Sequence, residues 1–240
     1  MSTSSLFLAL VAVVAAGVVL ISARFLSRRS TAWVASGVIA WLAYVGLMSW
    51  FGVVRDPALR PPGAAYLLLP AVALVAFAGR SRIGAGIAAA IPAWVLIAAE
   101  SFRIGVELLL HRLWVGGLVP QMMTYEGGNV DIFIGLSAPL LAWLATRGTG
   151  GRRIALVWNG LGLAALANVA VRAVGTAPGP LNFIHSEVPN LAVGLFPYTY
   201  IAGLFAPLAV LLHVLAIRSL RSQRADLPGA RSATMQSALS

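Results

Sequence analysis

Residues 83–112 read IGAGIAAAIPAWVLIAAESFRIGVELLLHR. The first seventeen positions carry no ionisable side chain, and the next thirteen hold Glu100, Arg103, Glu107, His111 and Arg112. A helix crossing the hydrocarbon of a bilayer needs about 20 mostly apolar residues. The stretch therefore reads as a membrane helix that continues into a charged segment. Either the charged segment stays in the bundle facing protein or water, or the helix leaves the membrane near Glu100 and residues 100–117 lie at its surface.

Working outward, six more apolar runs of similar length flank it. They cover 5–26, 31–54 and 61–79 before it, and 130–145, 154–174 and 196–217 after it. The composition agrees: charged residues are 10% of the chain, against roughly a quarter in an ordinary soluble domain. The expected fold is all-α, a polytopic bundle of seven transmembrane helices over residues 1–217. A basic, serine-rich tail without fixed structure would follow over 218–240. The first run lacks a basic leader and is long for a signal peptide, so it reads as a retained helix.

All 17 basic residues are arginine, and they mark the sidedness. Twelve, including Arg24, Arg28, Arg29, Arg80, Arg152 and Arg153, fall in the gaps and tail on one side; Arg55, Arg60, Arg112 and Arg172 fall on the other, and Arg103 lies within a span. Basic loops stay inside, which places the N-terminus outside and the C-terminus in the cytoplasm. Because the arginines sit in short gaps between apolar runs, the net charge of +10 is read as a topology signal, with lipid and no nucleic acid as partner. Heavy use of alanine and arginine points to a bacterial inner membrane.

At about 100° per residue, Glu100, Arg103, Glu107 and His111 fall on one helix face. Lipid cannot solvate such a row; ionisable groups inside a span cost at least a few kcal/mol each unless they face protein or water. Two readings stay open. The arginine can neutralise both acids and simply pin the bundle, as the spacings of three and four allow. Alternatively, the row lines a ligand pocket or an ion path.

The following loop, VGGLVPQMMTYEGGNVDIFIGLSAP, adds Gln121, Tyr125, Glu126, Asn129 and Asp131. Asn129 or Asp131 would cap the next helix, and Glu126, Asn129 and Asp131 offer oxygen ligands for a hard cation. Asn168 and Arg172 share a face of the sixth run, and His185 and Glu187 lie in the last loop. His111, His185 and Glu107 or Glu187 would form the only conceivable zinc-like set, without a compact motif. Tyr198 and Tyr200 read as an aromatic belt. Asn159 and His213 are read as lying apart, on the cytoplasmic side.

Absences prune the functions. With no cysteine, thiolate metal sites and cysteine nucleophiles are excluded. With no lysine, the retinal Schiff base of a seven-span rhodopsin is excluded. Three histidines do not supply four haem ligands. No GxSxG, P-loop or dinucleotide fingerprint occurs, and no cofactor is indicated.

The block Phe102–Pro139 resembles a family of bacterial multi-pass membrane proteins of no established activity, with the pattern FRxxVExxLHxLxxxGxxPxxMTxEGxNxDIxxGLxAP. Arg103, Glu107, His111, Pro120, Met123, Thr124, Glu126, Gly127, Asn129, Asp131, Gly135 and Pro139 fit it. The expected function is binding of a small polar or anionic ligand, with Arg103 and Arg172 on the anion, or relay of protons through Glu100, Glu107 and His111, in a polar cavity on the extracytoplasmic side. Two other classes compete: an intramembrane enzyme with His111 as base oriented by Glu107, and an accessory subunit of a larger membrane complex.

Overall fold

Serine caps set where the first two helices begin. Ser2 accepts from the Ser5 amide and Ser27 from the Ser30 amide, satisfying donors that a helix start leaves open. They open α1 (Thr3–Phe25) and α2 (Arg28–Trp50). The computed structural model describes residues 2–56 and 58–225; among them the chain is helical, without a strand. After α2 come α3 (Gly63–Arg80), α4 (Arg82–Ala90), α5 (Ala93–Ala99), α6 (Phe102–Val115), α7 (Asp131–Ala145), α8 (Gly148–Thr176) and α9 (Ala206–Ala225). A π-helical turn over Ile201–Phe205 leads into α9.

Five of these segments are long and apolar enough to cross a membrane, or six if the bent pair Arg82–Ala90 and Ala93–Val115 is one span. The shortfall from seven is α7. Its 15 residues rise about 22 Å, less than the ~30 Å of a bilayer core.

The fourth run breaks where its proline sits, eight residues before the charged segment begins at Glu100. Pro92 has no amide to donate, and a residue before proline is pushed out of the helical region; Ile91 is extended at φ −94 and ψ 120. The two arms meet at 92°. Glu100 and Ser101 then tighten the second arm into i→i+3 bonds (Arg103 N to Glu100 O, 3.1 Å; Ile104 N to Ser101 O, 3.1 Å) without ending it. So Ala93–Val115 is the long arm, and the charged row starts well inside it. This corrects the expectation of one unbroken helix from Ile83 into the charged segment: residues 100–115 continue the helix that carries Ala93.

The last helix also differs from its expected bounds. It runs on to Ala225, and Arg218 donates to the carbonyls of Ala78 (2.5 Å) and Ser81 (3.1 Å), tying it to the α3–α4 junction. The part of the expected tail up to 225 is therefore helix, and residues 226–240 lie outside the described residues. His213 consequently sits midway along Ile201–Ala225. Tyr198 and Tyr200 are buried rather than forming a belt: Tyr198 bonds Ser4 (2.9 Å) and stacks edge-on against Phe7, and Tyr200 donates to the Leu42 carbonyl (2.8 Å).

Two apolar clusters fill the interior. One joins α4, α5, α7, α8 and α9 through Ala88, Leu96, Leu141, Trp158, Leu212 and Leu220. The other joins α1, α2, α3, α6 and the π-helical turn before α9 through Phe7, Val45, Leu67, Leu110 and Phe205. Along the bent arm, Ile97 belongs to the first and Val106 to the second, with Phe102 touching both. Glu100 and Arg103 thus fall at the seam between the clusters.

Candidate functional site

Arg103 is the hub of the seam and is 2% exposed. Its Nη1 lies 3.6 Å from Glu100 Oε2, its Nη2 pairs with Asp131 Oδ1, and Nη1 also donates to His213 Nε2 at 3.1 Å. A guanidinium always carries its charge and offers donors in a fixed fork, so one side chain joins α6, α7 and α9. Helices α6 and α7 can approach this closely because position 135 lacks a side chain: a Cβ there would lie 2.9 Å from Ile104 Cγ1 and 3.0 Å from its amide.

Val130 is the N-cap of α7 and makes no side-chain cap bond, and Asn129, just before it, holds the first helical amide, which leaves the Asp131 side chain for Arg103. Asn129 Oδ1 accepts from the Asp131 amide at 3.1 Å. Its Nδ2 donates to Glu107 Oε1 at 2.6 Å and to the Met123 carbonyl at 3.0 Å. One buried asparagine thereby starts α7, closes the loop and holds Glu107. Glu107 is 1% exposed, and its Oε2 has no hydrogen-bond partner among the described residues.

The motif residues between these anchors build the loop. Thr124 accepts at its carbonyl from the amides of Gly127 and Asn129, both at 3.0 Å, and its hydroxyl donates to Gln121 O at 2.9 Å. A Cβ at Gly127 would overlap the Gln121 carbonyl, so a side chain is excluded there. Arg172 clamps the same loop from α8: Nη1 donates to Met122 O (2.8 Å) and Gly127 O (3.0 Å), and Nε donates to Asn168 Oδ1 (3.2 Å). Glu187 accepts from the Gln121 amide at 2.5 Å.

At the solvent-facing end of the row, His111 Nδ1 lies 3.5 Å from Glu126 Oε1 with both side chains partly exposed. The ring stacks on Tyr125 (centroids 5.2 Å apart, 19° between planes) and meets Trp114 edge-on. The pairing of Glu107 with His111 that the one-turn spacing suggests is not made, because Asn129 takes Glu107. His185 is exposed on the last loop. The cation set of Glu126, Asn129 and Asp131 is dispersed among three different partners, and no three acidic or histidine side chains converge as a metal site among the described residues.

Two members of the network escaped the sequence reading. His213 is fully buried and bonds Arg103 through Nε2 and Asn159 Oδ1 through Nδ1 at 2.9 Å. Asn159, also fully buried, donates onward to Ala155 O at 2.7 Å. The available signal was their polarity inside apolar runs, which by itself marks a residue that needs a partner.

The buried inventory is three carboxyl groups, one guanidinium, one imidazole and two amides. Taking one partner away from a buried ion pair costs about 3–5 kcal/mol, so the row is either fully coordinated or changes its protonation to stay so.

A family described as a domain of unknown function (DUF8737) matches residues 61–221, from the start of α3 into α9. No curated protein and no solved structure matches the chain.

Proposed function

We infer, for a chain that belongs to the DUF8737 family, a seven-span protein of a bacterial inner membrane that takes up and releases protons at its buried acid row from the extracytoplasmic side. In this reading the N-terminus is outside and the C-terminus cytoplasmic, as the twelve-to-four arginine split requires of an odd number of spans. Helix α7 completes the seventh span together with the segment before it. Val119, Met123, Thr124 and Asn129 are all buried, and non-helical backbone is tolerated at membrane depth where protein covers it.

The observation that carries the reading is the stoichiometry of the row. Glu100, Glu107 and Asp131 share one buried guanidinium, and the row leads from the partly exposed His111–Glu126 pair inward to Arg103. Carboxylates outnumber cations in a medium that does not solvate charge, so proton occupancy is what balances them. An anionic ligand is less well served. Arg103 is engaged by two acids and a histidine, and Arg172 by two carbonyls and an amide oxygen.

Proton uptake by the purified protein, followed with a pH dye in weakly buffered solution during acid and base steps, tests this. Wild type takes up one proton per chain more than Glu107→Gln over the range where the row titrates. Equal uptake by a folded Glu107→Gln contradicts the proposal.

A second reading, an accessory subunit of a membrane complex, draws on α2. It is long and apolar enough to span, buries only Val45 and Ser49, and leaves Trp33, Ile39 and Trp50 exposed. A stoichiometric partner chain retained in mild detergent supports that reading; a single-chain particle opposes it.

A further inference from the structure

The inner end of the row has a chemistry that the acids alone do not. His213 lies between two groups that make opposite demands on the same nitrogen. Arg103 Nη1 sits 3.1 Å from His213 Nε2 and can only donate, so Nε2 must accept and carries no proton in this arrangement. Glu100 Oε1 sits 3.5 Å from the same Nε2 and, as a carboxylate, can only accept.

The other nitrogen is fixed independently. Asn159 Nδ2 donates to Ala155 O at 2.7 Å, one turn back in α8, so the amide cannot rotate and Oδ1 must face His213. Nδ1 therefore bears the ring proton and donates it at 2.9 Å. The ring cannot shift to relieve the competition. A Cβ at Gly162 would overlap it, so α8 presses directly on the imidazole, and Trp158 packs edge-on at 5.4 Å. The buried side chains presented by α3, α4 and α5, which also pack on α9, are not ionisable. The charged groups bearing on His213 are thus Arg103 and Glu100, with Asp131 acting through Arg103.

We propose that His213 Nε2 is the innermost proton-accepting atom of the row, held bare and aimed by Asn159, and that a proton arriving there exchanges Arg103 for Glu100 as its partner. The step balances. A protonated Glu100 gives its proton to Nε2, leaving a carboxylate beside an imidazolium. Arg103 keeps all its protons and falls back on Asp131. Glu100 and Arg103 both belong to the Ala93–Val115 arm, so that arm stays tied to α9 through His213 and to α7 through Asp131, and the exchange changes which of its side chains makes the contact with α9. Leu212, Leu215 and Ala216 beside it on α9 belong to the first apolar cluster, and the next buried polar side chain on α9, Ser219, donates to the Ile91 carbonyl instead of joining the row.

The proposal rests on the proton-binding reading above, and nitrogen NMR of histidine-labelled protein in lipid tests it separately. The His213 signal is assigned by its loss in His213→Gln. At alkaline pH it should show a protonated Nδ1 and a bare Nε2, the tautomer that free histidine disfavours; Asn159→Leu should weaken that preference and leave the part that Arg103 imposes on Nε2. On acidification both nitrogens become protonated. Glu100→Gln lowers the proton affinity of Nε2 about tenfold or more, the effect of removing a close opposite charge, and Glu100→Asp restores part of it. A wild-type Nε2–H tautomer, a His213 that stays neutral while the folded protein acidifies, or unchanged titration in a folded Glu100→Gln overturns the proposal. Loss of the Glu107-dependent proton uptake with the His213 pattern intact would instead overturn the proton-uptake reading and leave His213 as a tautomer-locked packing residue.

Discussion

Asn129 illustrates how much one side chain can hold. It accepts from the Asp131 amide at the start of α7, bonds the Met123 carbonyl and gives Glu107 its single hydrogen bond. Asn129→Ala removes the bond to the Asp131 amide, worth about 1 kcal/mol, and strands a buried acceptor at about 1–3 kcal/mol. A loss of about 2–4 kcal/mol in detergent unfolding is expected, with a loss below ~1 kcal/mol contradicting the role. Arg103 is more demanding. Arg103→Ala leaves Glu100 and Asp131 without their cation and should cost about 3–5 kcal/mol, read as lost expression of folded protein. Arg103→Lys keeps the charge but not the planar fork, so intermediate stability is expected; a fully stable Arg103→Ala would contradict the hub. At this scale the sequence was informative where type and spacing coincide: Glu100, Arg103 and Glu107 share a buried face, and Asn168 and Arg172 meet as the helical period requires. It was silent on Asn159 and His213, because their partner lies on another helix and no local spacing encodes that contact.

At the scale of elements, prolines and helix ends decided what sequence periodicity left open. The apolar run over 83–99 is continuous in composition but not in geometry, since Pro92 turns it by 92°. The Pro92→Ala variant should open that angle. With cysteine absent from the chain, spin labels at Ala89 and Leu108, both exposed, can be placed alone; their separation should lengthen in Pro92→Ala and stay unchanged if packing alone sets the bend. Helix α9 shows the opposite error. Hydropathy ends it at 217 because arginines follow, yet Arg218 finds carbonyls at the α3–α4 junction and the helix continues. That difference of about two turns moved His213 from an expected end to the middle. Close approach was likewise invisible: nothing in the sequence around Gly135 or Gly162 encodes Ile104 or His213 across the contact. Adding bulk with Gly135→Val should separate α6 from α7, cost about 1–3 kcal/mol through overpacking and weaken the Arg103–Asp131 pair.

For the whole molecule, composition made the helical class and the apolar spans plain, while the charge asymmetry supplied the proposed sidedness. Six acidic residues lie among positions 56–187, away from the clustered arginines near 24–29, 80–82 and 147–153. Single cysteines at Ser4 and at Gly150 should react from opposite sides of intact cells with a membrane-impermeant maleimide, the first from outside. Labelling of both from one side would contradict the seven-span arrangement. The central claim concerns the acid row, and infrared difference spectroscopy during a pH step applied to the outside of proteoliposomes addresses it most directly. A carboxylic-acid carbonyl band should appear on acidification in wild type and in Glu126→Gln and vanish in Glu107→Gln. A row that shows no carboxylic-acid change in the folded wild type, or the same band in Glu107→Gln, would contradict the account.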